Sequence, residues 1–154
     1  MKVLVFSDSH GYKNKVQTVL QREKDCSHAF FLGDGLSDVE SIKGDYSDIK
    51  FITVKGNNDF YSDTDKFAYA HIDGVTIMAT HGDTLGVRIS LWELLDKARS
   101  VRAKLALYGH THVQNMYNDG CTGVCAVNPG ALCNGQYCII EIQKGSFEIY
   151  NKNI

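Results

Sequence analysis

At 154 residues the chain has the size of one ordinary domain, long enough to bury roughly 70% of its unfolded surface. An apolar share of 44%, a charged share of 22% and a formal charge of −2 describe a soluble globular protein without the basic footprint of a nucleic-acid polymer or acidic membrane binder. No stretch approaches the about 18 apolar residues of a membrane span, and the opening run is too short for a signal-peptide core, so a cytoplasmic location is expected.

That opening run, Val3-Leu4-Val5-Phe6, stops at Ser7-Asp8-Ser9-His10-Gly11. An uninterrupted apolar run this short suits a strand buried on both faces, in a sheet covered by helices, where ligands collect beyond the carboxyl ends of the strands. Asp8 and His10 stand two apart at that point. Together they offer a mixed oxygen and nitrogen metal site; the alternative is a turn in which Asp8 and Ser9 bond nearby backbone and His10 is incidental. Val16, Val19 and Leu20 then recur at helical spacing and predict a helix over about 13–24. A second apolar run, 29–32, ends in Gly33-Asp34-Gly35. The polar segment 36–48 contains Asp38 and has room for one short helical turn. A third run, 51–54, ends in Lys55-Gly56-Asn57-Asn58-Asp59, and 60–66 is polar loop.

Strands at 67–72 and 75–80 flank Asp73-Gly74, a strong hairpin signal, and the second of them ends in His81-Gly82-Asp83. Ile89, Trp92, Leu95, Ala98, Arg99 and Arg102 alternate with polar positions and predict an amphipathic helix over about 89–103. The run 105–108 leads into Gly109-His110-Thr111-His112. Short strands are expected at about 113–118, 121–127, 136–142 and 147–151, with turns at Asp119-Gly120 and Lys144-Gly145, as in an antiparallel meander. No linker, repeat or low-complexity tract interrupts the chain, so a single domain, 1–154, is expected.

The cysteines, Cys26, Cys121, Cys125, Cys133 and Cys138, are odd in number and form no CxxC pair. The last four are spaced by four, eight and five residues, which fits no usual zinc pattern. They read as reduced thiols acting as small hydrophobes.

Five separate apolar runs thus end in polar, glycine-bearing clusters holding Asp8 and His10, Asp34, Asn57, His81, and His110 and His112. His28 and His71 fall elsewhere and read as structural. Right-handed crossovers would carry the strand ends to one edge of the sheet, and glycines beside the donors would let the backbone turn sharply. Seven oxygen or nitrogen donors exceed the needs of one tetrahedral zinc and suffice for two ions sharing a ligand. A carboxylate suits the shared position, and paired ions roughly 3.5–4 Å apart commonly hydrolyse phosphate esters.

The order Asp-x-His, Gly-Asp, Gly-Asn, His, Gly-His-x-His resembles the calcineurin-like metallophosphoesterases, in particular the small bacterial and archaeal phosphodiesterases. The resemblance runs from Asp8 through Asn128-Pro129-Gly130. It implies a four-layer α/β/β/α sandwich. It also implies one metal held by Asp8, His10 and His112, a second held by Asn57, His81 and His110, and Asp34 bridging the two. The metals would be manganese first, with zinc, iron, nickel or cobalt as alternatives, because such donors single out none of them. A metal-bridging hydroxide would attack phosphorus in line, so that the chain would be a dimetal phosphodiesterase acting on a small phosphate ester, with Asn58, Asp34 and His81 as catalytic candidates. A homo-oligomer is compatible with the sequence. The alternatives are a phosphomonoesterase or nucleotidase on the same site, and a non-catalytic protein-binding scaffold of the same fold.

Three positions depart from the family pattern. Asn58 stands where many relatives carry a histidine that would protonate the leaving group, Asp83 where close relatives have a second histidine, and Ala131 where serine is common. Arg88, seven residues past His81, is a guanidinium that a phosphodiester site would welcome, though its loop position predicts a solvated side chain.

Overall fold

The computed structural model describes residues 1–154. In chain order its elements are β1 (Lys2–Phe6), α1 (Lys13–Arg22), β2 (His28–Phe31), α2 (Leu36–Glu40), β3 (Lys50–Thr53), β4 (Phe67–Ile72), β5 (Val75–Thr80), α3 (Trp92–Ser100), β6 (Leu105–Leu107), β7 (Gln114–Asn118), β8 (Cys125–Pro129), β9 (Gln136–Gln143) and β10 (Ser146–Asn153), with short 3-10 turns between some of them. The strands form two five-stranded sheets, in the orders β10-β9-β1-β2-β3 and β4-β5-β6-β8-β7. Strands β1, β2 and β3 run parallel in the first sheet, and β5, β6 and β8 in the second.

The continuous apolar runs follow from burial on both strand faces, since successive side chains point to opposite sides. Val3 and Val5 of β1 enter the core between the sheets with Phe30, Ile77, Leu105 and Leu107. Leu4 and Phe6 point the other way, onto Val16, Val19 and Leu20 of α1 and Val39 of α2. On the outer face of the second sheet, Met78 and Ala106 pack against Leu94, Leu95 and Ala98 of α3. The layers are therefore α/β/β/α, the sandwich expected for this sequence. Phe30 is fully buried in the central core, where truncation of a phenylalanine to alanine costs about 3–5 kcal/mol.

The structure departs from the sequence reading in three places. The last four strands are not one meander: β8 lies between β6 and β7, and the chain then crosses to the first sheet, where β9 pairs with β1. Turn residues predict the two hairpin-like pairs but carry no information about which sheet each strand joins. Helix α3 starts at Trp92, and its buried face is Leu94, Leu95 and Ala98, while Ile89 and Trp92 lie exposed. The left-handed Gly86, at φ 58°, and the bonds it accepts from Ile89 and Ser90 form a separate turn ahead of the helix. Finally, the five strand ends belong to two sheets, three to the first and two to the second, so they face each other across the sandwich rather than lining a single edge.

Candidate metal centre

The strand ends of β1, β2, β3, β5 and β6 meet at one end of the sandwich, where the backbone is unusual. Asp8, His10, Asp34, His110 and His112 all have positive φ, between 45° and 66°. Non-glycine residues rarely adopt this left-handed conformation, and such strain persists only where surrounding contacts enforce it. The sequence reading assigned the sharp turns to neighbouring glycines. Gly11, Gly33, Gly35 and Gly82 do turn, with φ between 86° and 131°, and the donor residues turn with them, while Gly56 and Gly109 serve close approach: a Cβ on Gly56 would lie 2.1 Å from Asp34 Oδ1, and one on Gly109 would lie 2.1 Å from Ser7 Oγ.

Polar side chains, two of them buried, supply the enforcing contacts. The Asp38 carboxylate accepts the Ser9 hydroxyl at 2.7 Å and the Gly11 N–H at 2.9 Å, fixing the turn that carries His10. Asn128, fully buried, donates to the Gly109 carbonyl at 2.8 Å and to Thr111 Oγ1 at 3.0 Å, bracketing His110. Asp59 accepts four backbone N–H groups, from Asp34, Gly35, Leu36 and Gly56, at 2.8–3.0 Å. These three residues were not singled out from sequence as supports. Short side chains that bond loop backbone are common in any polar stretch, so their types alone gave no signal.

The structure brings all seven candidate donors together. Asp8 Oδ1 lies 3.1 Å from His112 Nε2 and 3.6 Å from His10 Nε2, and the two imidazole nitrogens are 3.2 Å apart. The other Asp8 oxygen accepts the His110 N–H at 3.2 Å. Across the site, His81 Nε2 lies 3.0 Å from Asn57 Oδ1 and 3.1 Å from His110 Nδ1. Asp34 joins the two groups, with Oδ2 4.0 Å from His10 Nε2 and 3.5 Å from His81 Nε2.

Proton placement tests whether these donors suit cations. His81 is fully buried, and its Nδ1 lies 2.8 Å from the Leu32 carbonyl. A carbonyl only accepts, so Nδ1 carries the proton and Nε2 presents a lone pair. That lone pair faces Asn57 Oδ1, a second acceptor, and His110 Nδ1, which carries the His110 proton while Arg88 donates to Nε2 and must release it for a cation to bind there. Lone pairs likewise converge from Asp8, His10 and His112. A divalent cation in each group satisfies them together, whereas one proton satisfies a single pair. The donor set therefore fits two divalent ions bound by oxygen and nitrogen.

Several other side chains bear on the site. The Asn58 N–H donates to Asp34 Oδ1 at 2.8 Å and its side-chain amide to Oδ2 at 2.6 Å. Asp83 faces Lys66 at 3.7 Å. Arg88 is exposed, as its loop position predicted, but not free: Nε donates to His110 Nε2 at 3.0 Å and Nη2 to the His110 carbonyl at 3.2 Å. Burial first, then coupling to the neighbouring His81 imidazole and the Arg88 guanidinium, pushes the His110 imidazole below its ordinary pKa. His28 and His71 lie outside the site, bonded to Ser27 and to Thr76, respectively. A further cluster, Glu23, Asp25 and Cys26, is already satisfied by Lys2 at 2.8 and 2.7 Å. A cavity of about 730 Å³ adjoins that same end of β1, away from the seven donors.

Residues 1–145 match the model of the calcineurin-like phosphoesterase superfamily domain. The probable metallophosphoesterase YsnB of Bacillus subtilis (strain 168) is 29% identical over 133 residues, covering 86% of this chain and 75% of that protein. Among solved structures, a protein of Streptococcus pneumoniae TIGR4 described as a predicted phosphoesterase superposes with a TM-score of 0.83 at 26% identity, over 99% of this chain and 88% of that one. A novel archaeal phosphodiesterase shares the fold with a TM-score of 0.73 at 20% identity, over 99% and 100% of the two chains. No helix is long and apolar enough to cross a membrane. With its family model matched over nearly its full length and its donors gathered at the strand ends, the chain belongs to the calcineurin-like phosphoesterase superfamily.

Proposed function

We propose that the protein is a dimetal phosphodiesterase acting on a small phosphate diester, with manganese as its first-choice metal. The observation that carries this reading is the position of Asp34 Oδ2, within 4.0 Å of His10 Nε2 and 3.5 Å of His81 Nε2. One carboxylate thereby links two donor groups. Asp8, His10 and His112 would hold one ion, Asn57, His81 and His110 the other, and Asp34 both. When bound, such ions acidify water to a nucleophile and neutralise phosphoryl charge.

The protein's own residues supply position. The Leu32 carbonyl holds His81 in the tautomer that offers Nε2 inward. Asn58 fixes both oxygens of Asp34, and it offers no proton that can be given up near neutral pH. Asp59, the nearest other candidate acid, has both oxygens engaged by backbone N–H groups. A site without a general acid beside the leaving group favours esters that leave readily and does not need to handle a dianionic monoester.

The test pairs elemental analysis of protein loaded with manganese, zinc, nickel or cobalt with a panel of mono- and diesters. About two ions per chain, and turnover of bis(p-nitrophenyl) phosphate well above that of p-nitrophenyl phosphate, are expected. Preferred monoester turnover would make it a phosphomonoesterase. Failure to bind metal under every loading condition would leave a non-catalytic scaffold.

A further inference from the structure

Next to the metal centre lies a groove of about 370 Å³, lined by Leu36, Ser37, Glu40, Asn58, Asp59, Phe60, Tyr61 and Ser62. It begins at Asn58, whose side chain lies 2.6 Å from Asp34 Oδ2, so a phosphorus atom at the metal centre would have one ester arm directed along it. Phe60 and Tyr61 border this groove and are 77% and 103% exposed. Single exposed apolar side chains are ordinary, but adjoining ones beside a site mark ligand grooves.

The two rings sit on a backbone held in place rather than on a loose tether. The Asp59 carboxylate ties the start of their loop to the turn after β2. The Ser62 N–H bonds the Asp59 carbonyl at 3.2 Å, Lys55 Nζ bonds the Ser62 carbonyl at 3.1 Å, and the Lys55 N–H bonds the Asp65 carbonyl at 3.1 Å. A backbone already fixed beneath the rings lowers the ordering cost of binding a flat partner.

Charge narrows the partner. No lysine, arginine or histidine lines the groove, while Glu40 and Asp59 do. A second phosphate or a carboxylate would be repelled there. Ser37 and Glu40 can instead accept hydrogen bonds from hydroxyl or amino groups.

We propose that this groove is the substrate-arm site, and that it takes an uncharged aromatic ring on one arm of the phosphodiester, stacked on Phe60 and Tyr61. The inference rests on the phosphodiesterase reading above and adds the substrate class to it.

The experiment compares two uncleaved anions on protein loaded with diamagnetic zinc by NMR titration: methyl phenylphosphonate and methyl methylphosphonate. They share the anionic phosphoryl group and differ only in the ring. Ring stacking on aromatic side chains is worth roughly five- to a hundredfold in affinity, so the phenyl compound should bind about tenfold more tightly, with ring NOEs to Phe60 and Tyr61. In the double variant Phe60→Ala/Tyr61→Ala that advantage should fall below about threefold while methyl methylphosphonate binds as before. Trp92→Ala, which removes an exposed ring outside the groove, should change neither. Equal binding of both anions by the wild type, or an advantage retained in the double variant, overturns the aromatic arm and leaves the phosphodiesterase reading standing. Binding of neither anion by the metal-loaded protein overturns both.

Discussion

The backbone N–H of Asp34 donates to the side chain of Asp59 at 2.8 Å. Through this bond the loop after β3 sets the position of the carboxylate that stands between the two donor groups. Asp59 also accepts from Gly35 and Leu36 at 3.0 Å and from Gly56 at 2.8 Å. Asp59→Asn keeps the size but replaces one accepting oxygen by a donor that meets N–H groups. Bonds to a charged acceptor are worth about 1.5–3 kcal/mol each, so the substitution should destabilise the protein by about 2–3 kcal/mol, read as a lower urea midpoint. It should also weaken metal binding. Unchanged stability would mean that water replaces these bonds without cost.

Asp34 is buried and touches both groups, so Asp34→Asn should be the most damaging single substitution for activity. It removes the negative charge between the two donor groups, where the proposed ions would sit, while leaving the volume almost unchanged. The loss should exceed the roughly 10–100-fold typical of residues that only orient metal ligands. Metal content should fall as well. Activity within tenfold of wild type at saturating metal would show that Asp34 does not bridge.

Arg88 and His110 make a separate prediction. By donating to His110 Nε2, Arg88 leaves the imidazole proton on Nδ1, the atom that faces His81. That is the opposite tautomer from the one a metal ligand at Nδ1 needs. Arg88→Met should therefore raise metal affinity, by roughly tenfold on the scale of residues bonded to metal ligands. In metal-free protein the same change should move the His110 pKa upward toward the ordinary histidine value, because one of the charges depressing it is gone. The sign for stability follows. A depressed pKa means that the unfolded chain takes up this proton at a higher pH than the folded one, so stability falls as pH drops through the ordinary histidine range of about 6.5. Arg88→Met should make that fall shallower. An NMR titration of His110 and urea midpoints at several pH values check both effects, and an unmoved His110 would remove the basis for them.

Much of this site was legible in the sequence because its chemistry lies at the ends of apolar runs. Asp8, His10, Asp34, Asn57, His81, His110 and His112 each follow a strand whose apolar residues face two cores, and that double burial, only partial in the edge strand β3, is visible as an apolar stretch. What holds them was not legible. Asp38, Asp59 and Asn128 act through backbone groups distant in sequence, and only the folded chain shows that Asp59 reaches Asp34 or that Asn128 reaches Gly109. The contact of the exposed Arg88 was hidden for a similar reason, since nothing in its loop indicates that His110, 22 residues on, receives it. The strand order failed where sheet membership depends on packing. β8 and β9 are similar apolar runs, yet β8 pairs with β6 and β9 with β1. The buried side of α3 differs from the expected one because Trp92 and Ile89, large and apolar, both face solvent.

Asn58 makes the sharpest prediction about chemistry. Expulsion of an alkoxide is slow unless a proton is donated to it, and general acids typically contribute about 10²–10⁴-fold. The Asn58 amide donates to Asp34 Oδ2 at 2.6 Å, which orients the carboxylate but leaves no acid in place. Asp59 does not substitute for it, because four backbone N–H groups occupy its oxygens. The wild type should thus depend steeply on leaving-group pKa, turning over nitrophenyl diesters far better than alkyl ones. Asn58→His would bring an imidazole to the same spot, at the cost of one bond to Asp34. Its rate on poor leaving groups should rise relative to its rate on nitrophenolate, flattening the dependence and adding some monoesterase activity. A leaving-group series on both proteins at saturating metal decides the matter. A flat series for the wild type, or the same slope in both proteins, would mean that protonation of the leaving group comes from elsewhere and that Asn58 only positions Asp34.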